Sequence, residues 1–216
     1  MKKIISILSC VLITISIIGC TSLSVSKDSY TNKIYHTELT EEEQNIIDLI
    51  GVGSDINIYE YVIDDTYKSL SIWLETYKNG ELLSDTKSRA SMSIGVDPDN
   101  KLKKGKIAVV VDTTSNYQWR ISHQYANGLS SHSFTTENDF ETNSKFSVGS
   151  GELNEPVEIT SETEIVLDKF LFEDGNSMSM YYHQYYVENP EVLKQYDYVY
   201  LLKCQFSKKT VGEVDN

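Results

Sequence analysis

Tyr181-Tyr182-His183-Gln184-Tyr185-Tyr186 is the run of this chain with the most functional content. Five rings in six residues offer large stacking area with polar tips, a combination suited to sugar or peptide recognition. Read as part of a strand over 177–187, the run places Tyr181, His183 and Tyr185 on one face and Tyr182, Gln184 and Tyr186 on the other. Both faces cannot be a leucine-like core, so at least one set of rings is expected to meet solvent or a neighbouring loop. The plainer reading is that tyrosine is a favoured strand residue with its hydroxyl at a sandwich rim. Tyr181, Tyr182, His183, Tyr185 and Tyr186 are the candidate binding residues.

Catalytic signatures are absent from the sequence. It contains no His-Glu-x-x-His, no Gly-x-Ser-x-Gly, no phosphate loop and no dinucleotide fingerprint. Asp97-x-Asp99 opens like a calcium loop, but Lys101 stands where a third oxygen ligand belongs and no glycine follows it. A turn is expected there, as at Asp64-Asp65 and Glu173-Asp174. Cys204 shares a strand face with Leu202 and Phe206, which predicts a buried, inert thiol rather than a nucleophile. The histidines, at 36, 123, 132 and 183, are dispersed. His132 paired with an acid from a distant loop is the constellation an enzyme would need. No catalytic residue, metal ligand or cofactor is assigned.

The elements that must position these side chains are mostly strands. One helix is well signalled: Thr40 with Glu43 forms a capping box, and Gly51 suits the C-terminal end. Its stripe of Ile46, Ile47, Leu49 and Ile50 predicts that it packs on something. From Ile56 the pattern alternates. Tyr67 to Tyr77 puts Leu70, Ile72 and Leu74 on one face and Trp73 on the other. Asn79-Gly80 predicts a type I′ hairpin, with a returning strand from Leu82 that reaches Ile94. Lys106–Val111 reads as a central buried strand, and Tyr117–Tyr125 as a half-buried one. The stretch 126–150 is weaker, with short strands around Phe134 and Phe146. Strands over 164–172 and 197–206 follow, with a short helix opened by Asn189-Pro190-Glu191 between them. Eight or nine short strands separated by turns predict a mainly β fold, an antiparallel β-sandwich of immunoglobulin-like character. The boundaries read as a sandwich domain over 39–210 and a tail over 211–216. Two small β subdomains divided near 126–150 are the variant.

The N-terminus carries an address. Met1-Lys2-Lys3 is followed by an uncharged apolar stretch from Ile4 to Ile18, and then by Gly19-Cys20. The stretch is shorter than a membrane span of about 20 residues and has the form of a secretory signal. The ending resembles the lipobox of bacterial lipoproteins. That resemblance implies cleavage of residues 1–19, acylation of Cys20 (diacylglycerol and palmitate-type chains), and a lipidated tether over 20–38. It further implies a place on the cell membrane, facing away from the cytoplasm, and the body is similar in character to uncharacterised lipoproteins of low-GC Gram-positive bacteria. Two or three acyl chains anchor firmly where one is marginal.

Length and charge fit this picture. The chain has 216 residues, three Cys and a formal charge of −13. Loss of residues 1–19 removes Lys2 and Lys3, leaving 17 basic against 32 acidic residues, or −15. Such a surface argues against nucleic acid as a partner. Cys204 would be the one unmodified thiol, so no intrachain disulfide is expected. The expected function is a membrane-anchored, non-catalytic binding module whose partner is an envelope protein, a peptide or a glycan. The alternatives are a passive structural lipoprotein and, further off, a cell-envelope enzyme.

Overall fold

In a computed structural model of the chain, the described residues are 31–51, 53–84, 89–95, 101–114, 117–126, 128–136, 146–161, 163–175 and 177–214. Cys20, the signal stretch and the turn at Asp97-x-Asp99 lie outside them. Residues 31–216 form one compact unit.

In chain order the elements are β1 (Lys33–His36), α1 (Glu41–Ile50), β2 (Ser54–Asp64), β3 (Ser69–Lys78), β4 (Glu81–Ser84), β5 (Arg89–Ser93) and β6 (Leu102–Asp112). Then come β7 (Gln118–Tyr125), β8 (Gly128–Phe134), β9 (Phe146–Glu152), β10 (Val157–Glu158) and β11 (Ile165–Asp174). The chain closes with α2 (Tyr185–Glu188), a 3-10 helix (Pro190–Gln195), β12 (Tyr198–Ser207) and α3 (Val211–Val214). The first sheet has the order β10-β1-β2-β6-β7-β8, and the second β4-β3-β12-β11-β9 with β5 also paired to β3. The pairings are antiparallel.

Period-two alternation builds the sandwich core. Ile107, Val109 and Val111 of β6 turn inward while Lys104 and Lys106 face solvent. From the second sheet, Leu70, Ile72 and Leu74 of β3 meet them together with Tyr200, Leu202, Cys204 and Phe206 of β12. The Asn79-Gly80 turn has φ of +52° and +79°, and Lys78 pairs with Glu81 across it. That is the geometry a type I′ turn demands.

The second sheet is also apolar on its outer face. Val166, Leu171, Val199 and Leu201 are buried there beneath Tyr186, Val192, Leu193 and Tyr196. The segment 177–196 is thus a strap laid over the sheet, a third layer with its own small core. At about 1.5–3 kcal/mol for each large apolar side chain removed from water, this seam is enough to hold the strap in place.

Several expectations are corrected. Residues 177–187 do not form a strand: 177–182 are irregular, and α2 begins at Tyr185. The domain starts earlier than residue 39, because Lys33–His36 of the expected tether is β1, with Ile34 fully buried and paired to both β2 and β10. The two halves are not separate subdomains, since β3 and β12 are adjacent in one sheet and β1 and β10 in the other. The strand returning after Asn79-Gly80 is two strands, β4 and β5, on the same edge of β3. Helix α1 forms with its full capping box, but it buries no residue.

Candidate functional site

The strap carries the aromatic run, and its geometry begins in the strands below. In β11 the register shifts between Val166 and Asp168, so Leu167 is an extra residue. A bulge of this kind re-aims the side chains beside it. Leu167 stays in the sandwich core. Asp168 also points between the sheets, where Asn57 Nδ2 of β2 donates to it at 2.9 Å. Lys169 is directed outward, and its Nζ donates to the Tyr181 carbonyl at 2.7 Å. Burial holds the Lys169 ammonium down at about 8.

β9 supplies the floor under the start of the strap. A Cβ at Gly149 would lie 2.7 Å from Met178 Sδ and 2.9 Å from Met180 Sδ. Glycine there lets the strap approach the strand backbone. His183 is buried, and its Nε2 donates to the Gly151 carbonyl at 2.8 Å. Burial, reinforced by Lys169, pushes the His183 imidazole down to about 4, so it is neutral at physiological pH. Tyr186 is buried too: its hydroxyl accepts from the Tyr181 N–H, and Lys169 Nζ sits 5.2 Å from its ring centroid. Tyr196 donates to the Ser179 carbonyl at 2.6 Å. We expect Gly149→Val to lift residues 177–182 while sparing the sandwich core. Limited proteolysis would then cut within 177–182 at least tenfold faster, with little change in near-UV signal from Trp119.

The candidate residues therefore divide. His183 and Tyr186 are the underside of the strap. Tyr181 and Tyr185 are half-buried and stacked, with centroids 4.6 Å apart and planes at 15°. Tyr182 is 58% exposed, edge-on to Tyr185 at 5.5 Å, and its hydroxyl donates to Glu188 at 2.8 Å. Met180, 46% exposed, adds apolar surface to the same segment. The outcome is a ridge of rings on a fixed base. Such a ridge can stack on a sugar face or an apolar side chain and offer a hydroxyl beside it.

Other groups singled out by sequence are not drawn to this ridge. His132 is exposed on β8 against Phe134, and His123 is buried against Tyr61 Oη at 2.9 Å. His36 packs edge-on to Tyr59. Cys204 is fully buried, and burial pushes its thiol up and away from reactivity. Among the described residues, no group of three or more His, Cys, Asp or Glu is placed to hold a metal ion.

Residues that sequence reasoning missed are Asp168, Lys169, Gly149, Gly151 and Glu188. The charged pair Asp168-Lys169 inside the apolar run Ile165–Phe172 was the available signal for the first two. Burial drives the Asp168 carboxyl well above the usual carboxylate range. Glu75, on β3, behaves oppositely. Burial pushes it up, but hydrogen bonds from Lys203, Tyr77 and Trp73 outweigh that and hold it low. Glu75 and Lys203 satisfy one another and form a structural pair.

The family described as YgaN domain matches residues 33–206, from the first residue of β1 nearly to the end of β12. No curated protein and no solved structure matches the chain. The chain belongs to the YgaN domain family.

Proposed function

We propose that this member of the YgaN domain family is a lipid-anchored, extracytoplasmic binding module without catalysis of its own. The lipid sits on Cys20, and residues 21–32 link it to β1. The partner, an envelope protein, peptide or glycan, is met by the ridge of Tyr181, Tyr182, Tyr185 and Met180. One observation carries the ridge: Tyr182 is exposed while its neighbours Tyr186 and His183 are locked beneath it. A ring presented from a rigid base loses little entropy on binding. The dominance of acidic residues over basic ones favours basic peptides or cations and disfavours anionic polymers.

Two experiments test this reading. Cys20→Ser is expected to abolish metabolic labelling with an alkyne fatty acid and to shift the protein from membrane to soluble fractions. Unchanged labelling would remove the anchor. A photo-crosslinking residue at position 182 is expected to give a discrete adduct in intact cells that is missing when the same group replaces exposed Lys104. Identical patterns at the two positions would count against the ridge. The second reading is a passive structural lipoprotein, and the burial of His183 and Tyr186 in the strap favours it. It predicts no position-specific adduct.

A further inference from the structure

We propose that the free face of α1 docks a basic, amphipathic segment of a partner protein. This surface is separate from the tyrosine ridge. The helix is closed at both ends by its own hydrogen bonds. Thr40 Oγ1 accepts from the Glu43 N–H at 3.3 Å, Glu43 Oε2 accepts from the Thr40 N–H at 2.8 Å, and Gly51 N–H closes the C-terminal turn on the Ile47 carbonyl. One side rests near the domain: Ile47 is half-buried, and Gly51 sits against the Ile56 side chain. The other side is bare. Ile46, Leu49 and Ile50 are 60%, 78% and 74% exposed. Their i, i+3, i+4 spacing puts them on one face. Exposed aliphatic side chains grouped this way mark an interaction surface.

Charge identifies the occupant. The charged residues of α1 are Glu41, Glu42, Glu43 and Asp48. Glu42 lies one turn before Ile46, at the N-terminal end of the apolar stripe, and Glu43 flanks that end, while Asp48 lies on the other side of the helix with Gln44. No basic residue occupies the last turn, so the negative end of the helix dipole is uncompensated there. Lys106, the neighbouring cation, is already paired to Glu60 at 2.9 Å. An apolar stripe with carboxylates at its N-terminal end complements a segment that carries aliphatic side chains beside Lys or Arg. In a second copy laid antiparallel, Glu42 would meet the uncompensated negative C-terminal end of the other helix, and an anionic bilayer would repel the acidic end of the stripe.

The test uses the chain from residue 20 onward, with Cys20→Ser to keep it free of lipid. The probes are a fluorescein-labelled 14-residue leucine/lysine amphipathic helix and its leucine/glutamate counterpart, followed by anisotropy. The leucine/lysine peptide is expected to bind in the micromolar range and the leucine/glutamate peptide at least tenfold more weakly. Ile46→Ser with Leu49→Ser is expected to weaken the first by tenfold or more. Glu42→Lys, at an exposed position, should weaken it severalfold, and Leu129→Ser, at an exposed apolar position on β8, should leave it unchanged. Absence of binding, or binding unaffected by the α1 substitutions, would overturn the proposal. So would a dimer in sedimentation that Leu49→Ser dissociates, or vesicle binding to phosphatidylglycerol that Leu49→Ser abolishes. Each of those assigns the face to another occupant.

Discussion

Gly105→Ala is expected to cost about 3 kcal/mol of stability, near the upper end for overpacking a core. Gly105 lies on β6, directly across from Tyr61 on β2 and Tyr125 on β7. A Cβ there would fall 2.2 Å from Tyr61 Oη and 2.3 Å from its Cζ. The ring cannot swing aside at low cost. Tyr61 is fully buried, its hydroxyl is bonded to His123, and Phe206 packs edge-on at 5.0 Å. Urea denaturation should show the midpoint falling with little change in slope. A double-mutant cycle with Tyr61→Leu gives the cause. If the ring is the obstacle, the alanine costs far less once the ring is gone. An equal cost in both backgrounds would place the strain elsewhere.

The second large effect is acid sensitivity from two buried histidines. Burial holds both His123 and His183 at about 4 in the folded state, against about 6.5 in an unfolded chain. The folded pKa is depressed, so the unfolded state binds more protons between those values. Stability is therefore full above pH 6.5 and falls as pH drops from 6.5 towards 4. The loss is on the order of 3 kcal/mol per histidine across the window. Asp168 works the other way. Its carboxyl is raised, so it favours the fold most at low pH and less as pH rises above about 3.8. Glu75 and Asp64, both held low, matter only below the ordinary carboxylate range. Urea melts between pH 7 and 5 should show a stability drop that His123→Gln with His183→Gln flattens and Asp168→Asn steepens. A flat profile in the wild type, or flattening by Asp168→Asn, would contradict this assignment.

Much of the sandwich was legible because its strands alternate cleanly. The inward face of β12, from Tyr200 to Phe206, can be read at every second residue. So can the Asn79-Gly80 turn, where only two positive φ values fit the hairpin. The strap was misread for a physical reason. In Tyr181–Tyr186 the rings sit at both strand spacing and the i, i+4 spacing of a helix turn, so periodicity could not separate them. The segment in fact does neither over most of its length. It follows the surface of a sheet whose outer face is itself apolar. That second apolar face was visible in the unbroken Val199–Leu202, which is a sign of burial on both sides. The α1 stripe illustrates the opposite case. Its amphipathicity formed the expected helix, but Ile46, Leu49 and Ile50 stay exposed among the described residues, because an apolar stripe specifies burial without specifying by what. Asp168 and Gly149 were missed because a bulge and a strap contact depend on residues far away in sequence.

The central claim is that the tyrosine ridge is the binding face of an anchored module. The most direct measurement is a binding isotherm of labelled protein on isolated cell envelopes, comparing wild type with Tyr182→Ala plus Tyr185→Ala. The account predicts saturable binding that the double variant weakens at least tenfold while its melting temperature stays within a few degrees. Saturable binding of equal affinity for both proteins would contradict it, as would an envelope that binds neither.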